Sequence, residues 1–108
     1  MRIEPAGDTL RIFEVKELDA TTATSFQDLI EEALTERIRH IEIDLSGTVC
    51  LDSCGLGALA ALRRFLDGQG GAVRLLDAAP PVQQMLELTR LCRLLEVVRR
   101  EEIAATQD

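Results

Sequence analysis

A chain of 108 residues has room for one hydrophobic core and not two, and 46% hydrophobic with 29% charged residues describes a globular domain. A net charge of −7 opposes binding to a nucleic-acid backbone, and three Phe as the only aromatics leave no base-stacking platform. No run approaches the roughly 18 apolar residues of a membrane span, and Met1 to Pro5 lacks the apolar core of a secretory signal, so a cytoplasmic protein without direct membrane insertion is expected.

Met1 to Glu4 forms a short first strand, with Pro5-Ala6-Gly7-Asp8 as the turn. Thr9 to Lys16 reads as a second strand, although its alternation slips between Ile12 and Phe13. Thr22 is placed to cap a helix running to about Arg37. Its apolar stripe is Phe26, Leu29-Ile30, Ala33-Leu34 and Ile38, while Asp28, Glu31-Glu32 and Glu36 fall largely outside as a solvated face or a docking surface. Ile41, Ile43 and Leu45 define the next strand, and Val49-Cys50-Leu51 continue the apolar segment.

From Cys54 to Leu66 the pattern is a nearly continuous apolar helix, rich in small residues that allow close packing on a sheet. Gly68-Gln69-Gly70-Gly71 ends it, since glycine accepts a left-handed C-cap. Val73, Leu75 and Leu76 make a buried strand, and Pro80-Pro81 begins a helix with Val82, Met85, Leu86 and Thr89 as its stripe. Leu94 to Val98 is a last strand, followed by a polar tail from about Arg99. Strands alternating with helices predict a single α/β domain over 1–108. Its mixed, mostly parallel sheet of four or five strands packs against three or four helices, with one antiparallel edge.

The chemistry of catalysis is sparse. His40 is the only histidine and has no evident relation to Ser53, so no nucleophile, base and orienting group converge. Cys50, Cys54 and Cys92 show no metal-ligand spacing, and the single Gly55-Leu56-Gly57 is no dinucleotide fingerprint. No enzyme, no cofactor and no metal are expected, and the cysteines read as reduced thiols. A redox-responsive binder using Cys54 is a minor alternative, because a thiol in a helix's first turn can be activated.

What remains is Leu51-Asp52-Ser53-Cys54-Gly55-Leu56-Gly57, between an apolar strand and a long helix. A serine at a helix N-terminus serves either as an ordinary N-cap or as a phosphorylation switch, since unpaired N–H groups and the helix dipole tolerate added negative charge there.

This segment, with Ile41 to Cys50 before it, resembles the core of a STAS domain, the family of bacterial anti-sigma factor antagonists and sulfate-transporter cytoplasmic domains. Glu17 to Ala23 is similar to the family's acidic turn, Gly70 to Leu76 to its next glycine-led strand, and Pro80 to Leu88 to the helix that follows. The resemblance implies that Ser53 corresponds to the serine phosphorylated by an anti-sigma partner, a protein kinase. Asp52 precedes it as in the family motif, and Asp19 corresponds to a nearby acidic residue. Cys54 stands where the family often has a second serine, and Lys16 and Arg90 where it often has glycine.

On that resemblance the chain is expected to be an anti-sigma factor antagonist that works by partner switching. Its partners would be an anti-sigma factor kinase and a resetting phosphatase, and its surface would comprise Asp19, Asp52, Ser53, Cys54, Gly55, Leu56 and Gly57. The alternative is a STAS subunit of a transporter or other assembly, with Ser53 as unmodified contact surface.

Overall fold

The computed structural model describes residues 1–90 and 95–98. Cys92, Leu94 and the polar tail from Arg99 lie outside the described residues. Five strands form the main sheet: β1 (Arg2–Ala6), β2 (Thr9–Phe13), β4 (His40–Asp44), β6 (Ala72–Leu76) and β7 (Glu96–Val98), in the order β1-β2-β4-β6-β7. β1 runs antiparallel to β2, and every other pairing is parallel. A separate parallel pair joins β3 (Glu17–Leu18) to β5 (Cys50–Leu51). Three helices are described: α1 (Ala23–Ala33), α2 (Ser53–Asp67) and α3 (Pro80–Leu88).

Alternation along the strands decides which face is covered. Leu10 and Ile12, Ile41 and Ile43, and Val73 and Leu75 are all buried, and they join Phe26, Ile30, Leu59, Leu62 and Leu66 of α1 and α2 in one core. The opposite face carries Glu4, Arg11, Glu42 and Arg74 in register across four strands. Glu42 takes ion pairs from Arg11 and Arg74, each at 3.4 Å. The sheet is thus the mixed, mostly parallel one that the strand–helix alternation predicts.

Several boundaries differ from expectation, each for a non-local reason. The slip after Ile12 arises because β2 stops at Phe13 and Glu14 takes a left-handed φ of 60°, which returns Val15 to the core. α1 ends at Ala33 rather than near Arg37. Leu34 is already extended, and the chain turns so that Ile38 is buried and Arg39 N–H donates to Asp8 O. Leu29, placed in the apolar stripe, is 49% exposed, and Thr89 of the α3 stripe is exposed with its hydroxyl donating to Met85 O.

Gly68 caps α2 in a right-handed conformation, and Gly70, at φ 75°, makes the left-handed turn. Val49 and Cys50 are exposed and so are not a continuation of the buried β4 segment. Pro80 begins α3 as expected, with Ala79 at the N-cap. Arg90 sits at φ 62°, a conformation glycine holds without strain, at a position where the resembled family often has one.

Candidate functional site

In open parallel sheets, sites gather beyond the C-terminal ends of the strands. Here β4 ends at Asp44, whose carboxylate closes a turn by accepting from Ser46 N–H (2.8 Å) and the Ser46 hydroxyl (2.6 Å). The chain then runs beside the segment that follows β2. Buried Thr48 donates its hydroxyl to Val15 O, Val49 N–H donates to Lys16 O at 2.8 Å, and β5 pairs with β3. Asp52 N–H completes the series by donating to Leu18 O at 3.3 Å. This ladder delivers the start of α2 to the surface beside the turn of residues 19–22.

The residue that caps α2 is Asp52, not Ser53. Asp52 is extended, and its Oδ1 accepts from Cys54 N–H (2.9 Å) and Gly55 N–H (3.1 Å). Its Oδ2 accepts from Ala20 N–H at 3.0 Å, so one carboxylate ties the helix to the 19–22 turn. Both residues are good N-caps by type, and the reach of Asp52 to Ala20 decides between them. Ser53 is therefore the first helical residue, exposed, with a hydroxyl that makes no hydrogen bond among the described residues. The ordinary capping role weighed for this serine is already filled.

Asp19 organises the neighbouring turn. Its Oδ1 accepts from Thr21 N–H (2.9 Å) and the Thr21 hydroxyl (2.7 Å). Those bonds, the hydroxyl's first, hold its carboxyl below the usual carboxylate range. Thr22 stands at the N-cap of α1 but spends its hydroxyl elsewhere, accepting from Asp19 N–H and donating to Glu17 O, both at 3.0 Å. The Cys50 thiol donates to Asp19 Oδ2 at 3.7 Å. Lost hydration, and after it the Asp19 charge, push that thiol above its ordinary range, so Cys50 is no resting thiolate.

The expected surface residues divide in two. Asp52, Ser53, Cys54 and Gly57 reach solvent, and Asp19 is half-buried beside them. Gly55 and Leu56 are buried, so they shape the surface only from beneath. A Cβ at Gly55 would overlap the carbonyl group of Leu18, whereas one at Gly57 would meet open space. Gly55 thus serves the packing of α2 on β3 rather than the approach of a partner.

Sequence reasoning missed Val49, which is 78% exposed at the rim of this surface. Its place in an apolar run imitates a core strand, but β5 begins only at Cys50. His40 opens β4 at the opposite end of the sheet and cannot serve Ser53 as a base. Among the described residues no cluster of His, Cys, Asp or Glu could hold a metal ion, and no helix is long and apolar enough to cross a membrane.

The capping geometry carries a stability prediction. Asp52→Ala removes three accepted hydrogen bonds and is expected to lower stability by about 2 kcal/mol, near the top of the range for N-cap loss. Urea unfolding checks this, and Ser53→Ala is expected to stay within about 0.5 kcal/mol of wild type.

Comparisons with known proteins agree on the family and the fold. The model of the STAS domain family matches residues 3–104. A protein of Paenibacillus polymyxa named anti-sigma F factor antagonist is 28% identical over 92 residues, spanning 84% of this chain and 79% of the relative. A Thermotoga maritima structure described as a candidate anti-sigma factor antagonist superposes with a TM-score of 0.87 at 21% identity, covering 98% of this chain and 92% of that one. The anti-sigma factor antagonist SpoIIAA in its unphosphorylated form gives a TM-score of 0.80 at 22% identity, covering 95% and 91%. The Bacillus cell fate determinant SpoIIAA in its phosphorylated form gives 0.68 at 21% identity, covering 99% and 98%.

Proposed function

Because the chain belongs to the STAS domain family, we propose that it is an anti-sigma factor antagonist controlled by phosphorylation of Ser53. In its unmodified form it binds an anti-sigma factor kinase in the cytoplasm and so frees a sigma factor. The kinase transfers a phosphoryl group to Ser53 Oγ, the modified protein lets go, and a phosphatase hydrolyses the phosphoserine to reset it. The protein itself contributes a binding surface and an acceptor hydroxyl, not catalysis.

One observation carries this reading: Ser53 offers an exposed hydroxyl with no structural duty, at a helix N-terminus already capped by its neighbour. A phosphate there adds about −1.5 to −2 charges without removing a bond that holds the fold. Asp52 and Asp19 lie on the same surface and oppose the new charge, so the penalty falls on a docked partner. The name of the Paenibacillus relative and the existence of SpoIIAA in both phosphorylation states support the same assignment.

Affinity capture from host lysate with wild type, Ser53→Ala and Ser53→Asp tests it by mass spectrometry. An ATPase-fold kinase held by the first two and lost with the third is expected. A single partner held equally by all three, above all a transporter ATPase, would show Ser53 to be plain contact surface.

A further inference from the structure

We propose that Val49 is the apolar anchor by which the Ser53 kinase holds this protein, set in an uncharged strip around the acceptor. The proposal rests on the phosphorylation reading above and names the partner's contact chemistry: an apolar recess seated over Val49, rather than a charged patch.

Reach fixes the occupant. A kinase must contact Ser53 to modify it, and a stable protein interface covers about 800 Å² on each partner, the area of a disc about 16 Å in radius. Val49 precedes Ser53 by four residues, so their Cα atoms lie within about 14 Å even along a fully extended chain. Both stand beyond the C-terminal end of β4, on either side of β5. A partner centred on Ser53 therefore covers Val49. Among the described residues Val49 is the most exposed large hydrophobic side chain, at 78%, and the one nearest Ser53 in the chain.

A lone exposed valine is ordinary on any surface, and rigidity sets this one apart. Its N–H donates to Lys16 O at 2.8 Å, the Thr48 hydroxyl before it donates to Val15 O, and Cys50 after it enters β5. A β-branched side chain on so pinned a backbone has little freedom left to lose when a partner closes over it.

The surroundings match. From Val49 to Gly57 the exposed residues are Val49, Cys50, Ser53, Cys54 and Gly57, all uncharged. Asp52, the one acidic side chain in the stretch, is half-buried and satisfied by three backbone N–H groups. The Cys50 thiol stays neutral, and a neutral thiol behaves as a small hydrophobe. Covering this strip desolvates little that is polar, whereas a phosphate in its middle resists desolvation strongly. An apolar contact around the acceptor is thus also one that a single phosphate can break.

Steady-state phosphorylation of the full chain by the kinase recovered through Ser53-dependent capture is the test. Val49→Ala is expected to raise KM about tenfold and Val49→Asp at least about a hundredfold, with kcat within about twofold, because Val49 meets the partner and not the reacting atoms. Val49→Ile should bring KM back to within about threefold of wild type. Leu88→Ala removes a side chain that is 75% exposed at the far end of α3, and it should leave KM unchanged. Thermal melts by circular dichroism verify that each variant keeps the fold. Wild-type KM for Val49→Ala and Val49→Asp, or an equal rise for Leu88→Ala, would overturn the anchor while phosphorylation of Ser53 stands. Recovery of no such kinase, or one that modifies Ser53→Ala as well as wild type, would overturn the phosphorylation reading and the anchor with it.

Discussion

Gly55→Ala is expected to destabilise the protein by about 3 kcal/mol and to lower the melting temperature by roughly 15 °C in a calorimetric scan. The added Cβ would occupy the space of the Leu18 carbonyl, which is backbone and cannot rotate away. Relief requires α2 to lift from β3, which strains the Asp52 N–H bond to Leu18 O and the Asp52 carboxylate bond to Ala20 together. Gly57→Ala, two residues along the same helix, is the control. Its Cβ points into open space, so the ordinary preference of a helix interior for alanine should stabilise by about 0.5–1 kcal/mol. Near-equal effects at both positions would refute this account of the helix–strand contact. Gly57→Ala also bears on docking, since a partner resting on that bare surface would be lost while stability rises.

Stoichiometric phosphorylation of Ser53 is expected to weaken the partner complex about 100-fold, or about 2.7 kcal/mol, while leaving the melting temperature within a few degrees. Two local effects oppose each other. The N-terminal dipole of α2 favours a phosphate by about 0.3–1 kcal/mol at an exposed site. Asp52 disfavours it and already holds the Cys54 and Gly55 amides that would otherwise receive phosphate oxygens. The fold is therefore close to indifferent, and the change is felt where a partner must desolvate the new dianion. Isothermal titration calorimetry of both forms measures the difference, and scanning calorimetry of the free forms verifies that the fold is spared. A large fall in stability with unchanged affinity would mean that the phosphate acts on the helix cap instead.

Much of this molecule is legible from local pattern. Ile41, Ile43 and Leu45, and Val73 and Leu75, announce strands because one face of a sheet must be dry, and Pro80-Pro81 announces α3 because a first-turn N–H is dispensable. The candidate site is legible only to the segment. That Asp52 caps and Ser53 does not depends on Ala20, a residue 32 positions earlier. That Gly55 is required by packing and Gly57 is not depends on where Leu18 lies. The run Val49-Cys50-Leu51 has the composition of a core strand, yet only Cys50 and Leu51 pair with β3, and Val49 stands in solvent before them. Tertiary contacts made the choice in each case, and the spacing of residue types along the chain holds no trace of it.

The β3–β5 pair has a consequence for how the protein comes to be folded. It is a clasp of two residues against two, and closing it encloses α1 and β4 within one loop of the chain. So short a ladder returns little for the chain entropy that closure removes, so it gains its footing only after the main sheet has brought its ends together. Residues 17–20 and 49–53 should then have φ-values near zero, with substitutions there hastening unfolding and barely slowing folding. On that account the proposed partner surface would be the last part of the chain to be assembled and the first to come apart.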